Sequence, residues 1–355
     1  MRKMIRIASM SFEGVLLNRP ELAGGLILAA VCLLILAVII VCLCRRSKNK
    51  KIISRTEADS PSETTLKLSD SEATFELSET TAVPLQESPF EIKSAVINNK
   101  GNVRRNNEDN FCLNGTIMQR EKMDCGADIS ATCKDASQLY AICDGMGGVD
   151  NGEDASYNAV RILSERKEEC GRWTDQAEFT RLLRSISDRI FRQSEQKGKK
   201  SGTTLAALIL NDGKLTGVNV GDSRIYRMRN HKLEQLSLDH SKVQRMISMG
   251  IISPEEAKTH PERHVITQYL GMPSNLRFSP YYAAELSLEP NDIYLICSDG
   301  LTDMVDDSKI LEILEMEAKP ENAAQALVKD ALENGGRDNV TVMLLQVTED
   351  SEREK

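Results

Sequence analysis

The sequence predicts an α+β domain built mainly from antiparallel sheets and preceded by one transmembrane helix. Strand-like runs come in blocks that are interrupted by pairs of amphipathic helices, whereas a parallel sheet would alternate strands and helices strictly. A separate run of 23 residues, Leu22–Cys44, carries no charge and could cross a bilayer core of ~30 Å as a helix. A secretory signal is the alternative, but its apolar core would be about 7–15 residues, and this run ends at Arg45-Arg46.

Basic residues flank the apolar run unequally and predict its orientation. Six follow it and four precede it, which under the positive-inside rule places the rest of the chain in the cytoplasm. They are Arg45, Arg46, Lys48, Lys50, Lys51 and Arg55 after the run, and Arg2, Lys3, Arg6 and Arg19 before it. The nine cysteines show no CxxC pair of the kind that binds zinc, so free thiols in a reducing compartment agree with this orientation. We therefore expect a single-pass protein of the cell membrane whose globular domain lies in the cytoplasm.

Composition divides the chain into five regions. We expect a short tail over 1–21, the span over 22–44, a linker over 45–90, a globular domain over 91–348 and a C-terminal tail over 349–355. The linker is basic next to the membrane and then acidic, with eight acidic residues, one Lys and twelve Ser or Thr between Thr56 and Phe90. Such a stretch buries too little apolar surface to fold. It is either a simple tether or a regulatory tail that kinases modify.

The globular region shows a succession of strand and helix patterns. We expect strands over 139–143, 203–210, 215–220, 224–229, 232–237, 277–286, 293–297 and 339–347, and helices over 153–170, 175–195, 307–317 and 320–333. The turn Asn211-Asp212-Gly213 indicates a hairpin. The segment between Phe111 and Leu139 has little periodicity and is predicted to be a surface loop. Its Cys125 and Cys133 could form a redox pair. The reducing cytoplasm favours the alternative, in which both are unpaired thiols.

Carboxylates recur in one context, the turn at the end of an apolar strand. Asp144, Asp222 and Asp299 each follow such a strand, while Asp338 and Asp109 come just before one. Any one of them alone could be ordinary turn chemistry, because Asp-Gly is a common turn dipeptide. Five carboxylates brought together would repel one another unless protons or cations neutralised them. Oxygen ligands without His or Cys suit Mg²⁺ or Mn²⁺ better than zinc.

The ordered motifs of the globular region resemble a known family. They are RRNNED, AICDGMGG, SGTT, VGDSR, DHS, SDGL and GGRDNVT. In this order they resemble the metal-dependent Ser/Thr protein phosphatases of type 2C, the PPM family, in its bacterial form. Residues 241–271 also resemble the flap segment of the bacterial members. The resemblance covers roughly 91–347 and implies a four-layer αββα sandwich, in which two antiparallel β-sheets are flanked by helix pairs.

The resemblance also implies a set of metal ligands for two Mn²⁺ or Mg²⁺ ions and a third, weaker site. Asp144 would bridge the two ions, and the carbonyl of Gly145 would add a ligand to one. Asp299 and Asp338 would hold the second ion, and Asp109 would complete the shell, directly or through water, beside Glu108. The third ion would lie between Asp222 and Asp299, while Asn339 would orient Asp338.

For the reaction, the resemblance implies direct attack on the phosphate by a water that bridges the metal ions, with Arg104, Asp144 and Asp299 as the catalytic residues. A guanidinium fork at Arg104 would grip the substrate phosphate. Cys143 and Cys297 lie in apolar strands and are predicted to be core residues rather than nucleophiles.

The general acid is left open, because Met146 stands where eukaryotic relatives have a His. His240, His260 and His264 are candidates, and a metal-bound water could do the same work.

We therefore expect a membrane-anchored phosphatase that hydrolyses phosphoserine and phosphothreonine in proteins and opposes a cognate Ser/Thr kinase. One alternative is a catalytically inactive, membrane-tethered homologue that binds phosphoproteins. Another is a hydrolase of a different phosphate ester, such as a nucleotide. The net charge of −8 argues against nucleic acid as a partner, since a phosphate backbone needs clustered Lys and Arg.

Overall fold

The computed structural model describes residues 87–147, 151–283 and 286–349. The predicted tail at 1–21, the predicted span at 22–44, the linker up to residue 86 and residues 350–355 lie outside the described residues. Within the three described ranges, no helix is both long enough and apolar enough to cross a membrane.

Fourteen strands form two antiparallel sheets in the described part of the chain. They are β1 (Glu87–Asn99), β2 (Asp109–Leu113), β3 (Thr116–Ile117), β4 (Ala127–Asp135), β5 (Ser137–Gly147), β6 (Ser201–Thr203), β7 (Leu205–Asn211), β8 (Lys214–Val220), β9 (Arg224–Arg229), β10 (Lys232–Gln235), β11 (Tyr281–Tyr282), β12 (Leu286–Ser287), β13 (Ile293–Cys297) and β14 (Val340–Glu349). The six-stranded sheet has the order β10-β9-β13-β14-β1-β4. The eight-stranded sheet has the order β11-β8-β7-β5-β2-β3, with β12 paired to β8 and β6 paired to β5.

Helices cover the outer faces of both sheets. The α-helices are α1 (Gly152–Glu165), α2 (Gln176–Lys197), α3 (Lys242–Ser248), α4 (Pro254–Lys258), α5 (Asp299–Thr302), α6 (Asp307–Met316) and α7 (Pro320–Glu333). Two 3₁₀ helices span Arg120–Cys125 and Lys167–Thr174. The side chain of Asp175 accepts hydrogen bonds from the N–H groups of Ala177 and Glu178, and this N-cap starts α2.

Three apolar clusters divide the domain into four layers. The middle cluster lies between the sheets and includes Tyr140 and Ile142 of one sheet and Ile296 of the other. A second cluster joins the eight-stranded sheet to α1 and α2, and a third joins the six-stranded sheet to α6 and α7. Because strand side chains alternate between faces, each sheet is apolar on both sides. The prediction of two antiparallel sheets with flanking helices is confirmed.

The prediction that the segment between Phe111 and Leu139 is a surface loop is wrong. This segment contains β3, the 3₁₀ helix and the nine-residue strand β4, which pairs antiparallel with β1. As an edge strand, β4 is paired on one side only, and most of its residues are partly or fully exposed. Its sequence therefore lacks the apolar alternation that marks a half-buried strand.

Other boundaries shift in smaller ways. The helix predicted over 153–170 ends at Glu165 and is followed by the 3₁₀ helix, and the strand predicted over 277–286 is reduced to the two-residue strands β11 and β12. Strand β1 begins at Glu87, four residues before the expected start of the domain at 91. Cys125 and Cys133 are both free thiols.

Candidate metal centre

The two sheets bring the five predicted carboxylates to one edge of the sandwich. Asp109 and Asp144 lie directly opposite each other in the pairing of β2 with β5. Asp222 lies on the connection from β8 to β9, where the chain passes from one sheet to the other. Asp299 follows β13, and Asp338 comes two residues before β14. The negative charges of the other four carboxylates all act on Asp144, so this edge is strongly negative.

This crowding changes the acidity of the carboxyl groups. Burial, and then the charges of neighbouring carboxylates, raise the pKa values of Asp144 and Asp299 well above their usual range. Burial also raises the pKa of Asp109 to about 6 and that of Asp222 to about 7. A group that is this hard to ionise releases its proton when a cation supplies the missing positive charge.

Three carboxylate oxygens are buried without a hydrogen-bond partner. They are Oδ1 of Asp109, Oδ1 of Asp222 and Oδ1 of Asp299. A buried polar atom without a partner costs about 1–3 kcal/mol, and more when it is charged. These carboxylate oxygens are available as ligands, and oxygen atoms are the ligands that Mg²⁺ and Mn²⁺ bind in proteins. The residues present therefore fit a centre for hard divalent cations.

Two hydroxyl groups fix the orientation of Asp109. Ser298 Oγ and Thr341 Oγ1 donate hydrogen bonds of 2.8 and 2.6 Å to its Oδ2, which leaves Oδ1 free. Ser298 directly follows β13 and Thr341 is the second residue of β14, so the six-stranded sheet orients a carboxylate of the other sheet. Sequence reasoning missed both residues, although each is next to or near a predicted ligand.

The SGTT motif holds the backbone of Asp144. Its N–H donates to Thr204 Oγ1 at 2.9 Å, and its carbonyl accepts from Thr203 Oγ1 at 2.8 Å. Thr204 Oγ1 also lies 2.7 Å from Ser223 Oγ, beside Asp222. The motif was recognised in the sequence without any role for its threonines. In the structure they hold the backbone of the residue that carries the central carboxylate.

Gly145 is enclosed by backbone atoms. Its N–H donates to the carbonyl of Glu108 at 3.1 Å, and a Cβ at this position would lie 2.3 Å from the carbonyl oxygen of Gly152. Only glycine fits such a close approach of β5 to the start of α1. Its carbonyl as a metal ligand stays a prediction.

Arg104 lies at the same edge as the carboxylates. Its Nη2 is 2.5 Å from Oδ2 of Asp338, and it also interacts electrostatically with Glu108 and Asp144. About half of the Arg104 side chain is exposed, so part of it is accessible to solvent. This position is compatible with its predicted contact to a phosphate, which stays a prediction.

Asn339 and Glu108 support the loop that carries Arg104. The Asn339 side chain accepts from the N–H of Glu108 at 2.8 Å and donates to the carbonyls of Lys100 and Asn106. Its own N–H donates to Oδ1 of Asp338 at 2.8 Å. Burial raises the pKa of Glu108 to about 7, although the charge of Arg104 opposes this shift.

The three histidines proposed as general acids have different surroundings. Nδ1 of His240 accepts from the N–H of Gly221, and burial lowers the pKa of this imidazole. Nδ1 of His260 accepts from the N–H of Glu262. His264 lies on the flap with its Nδ1 3.6 Å from Oδ2 of Asp303. These contacts do not identify any of the three histidines as the general acid.

The cysteines of the central strands are core residues. Cys143 and Cys297 are fully buried, and burial raises both thiol pKa values, that of Cys297 to about 12. A thiol becomes a nucleophile as the thiolate, so neither residue suits that role at neutral pH.

A second group of possible ligands lies beside the predicted set. Within the described ranges, His264, Asp299 and Asp303 are the one trio of His, Cys, Asp or Glu whose ligand atoms all lie within 4.8 Å of one another. Sequence analysis named Asp299 as a ligand and His264 as an acid, and it missed Asp303.

Comparisons with known proteins agree with the fold and the motifs. Residues 95–245 match the family model described as protein phosphatase 2C. The chain is 33% identical over 253 residues to the serine/threonine phosphatase stp of Listeria monocytogenes, covering 70% of this chain and 92% of that protein.

Solved structures are similar as well. The crystal structure of the Mycobacterium tuberculosis serine/threonine phosphatase PstP/Ppp has a TM-score of 0.61 and 31% identity, and the match covers 73% of this chain and 99% of that one. A structure of the PstP catalytic domain in complex with two manganese ions has a TM-score of 0.58 and 30% identity over the same shares.

The two-sheet sandwich and its carboxylate edge thus define a phosphatase of the metal-dependent class. The chain belongs to the protein phosphatase 2C family, and it is a protein-serine/threonine phosphatase whose substrates are phosphoproteins.

Proposed function

We propose that the chain is a membrane-anchored, Mn²⁺- or Mg²⁺-dependent phosphatase that acts on phosphoserine and phosphothreonine in the cytoplasm and opposes a Ser/Thr kinase. The observation that carries the metal dependence is the set of three buried carboxylate oxygens without hydrogen-bond partners. The manganese complex of the similar PstP catalytic domain supports the choice of ion.

The proposed ligands divide between two ions and a weaker third. The first two ions would be held by Asp144, the Gly145 carbonyl, Asp109, Asp299 and Asp338, with Asp144 serving both. The third ion would be held by Asp222 and Asp299. When bound, the ions supply positive charge at the phosphate and a water with a lowered pKa.

The chain's own residues prepare this site before any ion arrives. Ser298 and Thr341 hold Asp109 with one oxygen free. The guanidinium of Arg104, half exposed beside Asp338, would donate to phosphate oxygens and add positive charge where charge develops in the transition state. Fixed donors of this kind need no reorganisation during the reaction.

The test of the reaction is phosphate release from a phosphothreonine peptide by the full-length chain, with Mn²⁺ and with a chelator. We expect release with Mn²⁺, none with chelator, and none from Asp299→Asn. Asp212→Asn, in the exposed hairpin turn after β7, is the matched control and should release phosphate at the wild-type rate.

The inactive-homologue alternative makes a different prediction. A folded chain that binds Mn²⁺ and the phosphopeptide but releases no phosphate would overturn the proposed hydrolysis. Release of phosphate from a nucleotide in preference to the phosphopeptide would favour the other hydrolase.

The proposed anchor rests on Leu22–Cys44 and on the basic residues that follow this run. The six described cysteines are all free, which agrees with a cytoplasmic domain. The acidic linker would hold the domain near the membrane, and a membrane-bound kinase and its phosphorylated substrates would then lie within reach.

A further inference from the structure

We propose that His240 is a positioning residue: its imidazole Nδ1 and its backbone fix the base of the flap, residues 241–271, to the turn before Asp222, and this sets the affinity for the phosphorylated peptide. The inference rests on the proposed function and deepens it. It also gives a role without proton transfer to one of the three histidines considered as the general acid.

Two hydrogen bonds join His240 to Gly221. The N–H of His240 donates to the carbonyl of Gly221 at 2.7 Å, and the N–H of Gly221 donates to Nδ1 of His240 at 3.2 Å. Because Nδ1 accepts a hydrogen bond, the neutral ring carries its own proton on Nε2. Burial lowers the pKa of this imidazole, which favours the neutral form. The ring therefore acts as an acceptor towards the residue directly before Asp222.

Gly221 has little room to move. It is buried with a φ of +114°, and a Cβ at this position would lie 2.6 Å from Cγ2 of Thr204. Thr204 in turn accepts the hydrogen bond from the N–H of Asp144. The Gly221 turn is thus enclosed between His240 and a residue that holds the central carboxylate. A buried N–H without an acceptor is costly, so the turn must shift if Nδ1 is removed.

The backbone of His240 also joins the two ends of the flap. Its carbonyl accepts hydrogen bonds from the N–H and the Oγ1 of Thr267, at 2.6 and 3.0 Å. The next residue, Ser241, starts α3 by accepting a side-chain hydrogen bond from the N–H of Gln244 at 3.1 Å. The first and the last part of the flap therefore meet at His240.

The flap lies beside the carboxylate edge. Nδ1 of His264 is 3.6 Å from Oδ2 of Asp303, and the N–H of Asp303 donates to the carbonyl of Asp299 at 2.8 Å. The flap also exposes two apolar side chains, Met249 and Ile251, between α3 and α4. A peptide bound at this edge would lie next to the flap. The orientation of the flap should therefore affect peptide affinity more than the reaction of a small phosphate ester.

Three substitutions of His240 separate its possible roles. In His240→Asn the side-chain oxygen takes the place of the Nδ1 acceptor, in His240→Gln the oxygen lies near the place of Nε2, and His240→Leu has no acceptor. Neither amide can act as a general acid. His231→Leu is the matched control, because His231 lies beside Glu315 with 88% of its side chain exposed.

The test measures kcat and KM of the full-length chain in Mn²⁺, with a phosphothreonine peptide and with p-nitrophenyl phosphate. For the peptide we expect a KM about tenfold higher in His240→Leu and His240→Gln, with kcat within about twofold of the wild type, because the buried Gly221 N–H loses its acceptor. His240→Asn and His231→Leu should match the wild type. The kinetics with p-nitrophenyl phosphate should be the same in all variants.

Amide hydrogen exchange at Gly221 and Thr267, measured on the same samples, is independent of activity. Exchange should be slow in the wild type and His240→Asn and faster in His240→Gln and His240→Leu. A large loss of kcat in His240→Asn would indicate proton transfer and overturn the proposal, and so would equal peptide KM values in His240→Asn and His240→Gln. A wild type with the expected exchange pattern but no phosphate release would contradict only the proposed hydrolysis.

Discussion

At the scale of single residues, the proposed metal centre depends on carboxylates whose burial costs stability. Asp109 is fully buried and accepts two hydroxyl hydrogen bonds on one oxygen, while the other oxygen has none. Its pKa is raised to about 6, and that of Asp222 to about 7. In the metal-free protein these groups bind protons more tightly when folded than when unfolded.

We expect the metal-free protein to lose stability as the pH rises. A carboxyl group whose folded pKa is raised stabilises the fold below its unfolded pKa of about 4, and this contribution is lost as the pH rises through the folded pKa. For Asp109 alone the loss between pH 4 and pH 7.5 is on the order of 3 kcal/mol, at ~1.4 kcal/mol for each pKa unit.

Unfolding in chelator across this pH range measures the effect. Asp222→Asn removes one raised group and should show a shallower decline, whereas saturating Mn²⁺ should reverse the decline. A metal-free protein that is more stable at pH 7.5 than at pH 5 would contradict the prediction.

Asp144→Asn should change stability and activity in opposite directions. Replacing a carboxyl group whose ionisation is opposed by burial and by four neighbouring carboxylates should raise the free energy of unfolding in chelator by about 1 kcal/mol. Phosphate release should fall by about three orders of magnitude, because the proposed ligand of both ions would be lost. Chemical denaturation and the peptide assay check both effects, and Asp212→Asn should change neither.

At the scale of elements, β13 and β14 carry two functions at once. Each adjoins a predicted ligand, Asp299 or Asp338. The hydroxyl groups of Ser298, just after β13, and of Thr341, in β14, reach across to Asp109 on β2. The orientation of a predicted ligand on one sheet thus depends on the strand ends of the other.

Removing both hydroxyls should weaken metal binding without removing any ligand. For Ser298→Ala combined with Thr341→Val, we expect a 10- to 100-fold weaker Mn²⁺ affinity, because groups that orient ligands typically contribute this much. Calorimetric titration measures it. Thr348→Val on the same strand is the control, since Thr348 bonds Glu91 instead. Unchanged affinity in the double variant would show that Asp109 needs no orientation.

The elements also show what the sequence could predict. Period-2 and helical patterns in the sequence were enough to predict five elements, because each of these buries a defined apolar face. They are β7, β8, β13, α2 and α7. The edge strand β4 escaped detection because it pairs on one side only. Strand ends indicated the five Asp positions, but the hydroxyls of Ser298 and Thr341 could not be found without knowing which strands meet.

At the scale of the whole molecule, the proposed anchor makes a simple prediction. Deleting Leu22–Cys44 should move the protein from the membrane pellet to the supernatant and leave the rate on a soluble phosphopeptide unchanged. The rate on a membrane-bound phosphoprotein should fall, since the effective concentration is lost. Fractionation and the two assays measure these effects, and an intact chain found in the supernatant would overturn the anchor.

The position of β14 determines when the protein can become active during its synthesis. This last described strand lies inside the six-stranded sheet, between β13 and β1, and Asp338 immediately precedes it. A nascent chain on the ribosome therefore lacks both the middle of one sheet and a predicted ligand until residues 338–349 emerge. A product truncated before residue 338 would fail in the same way.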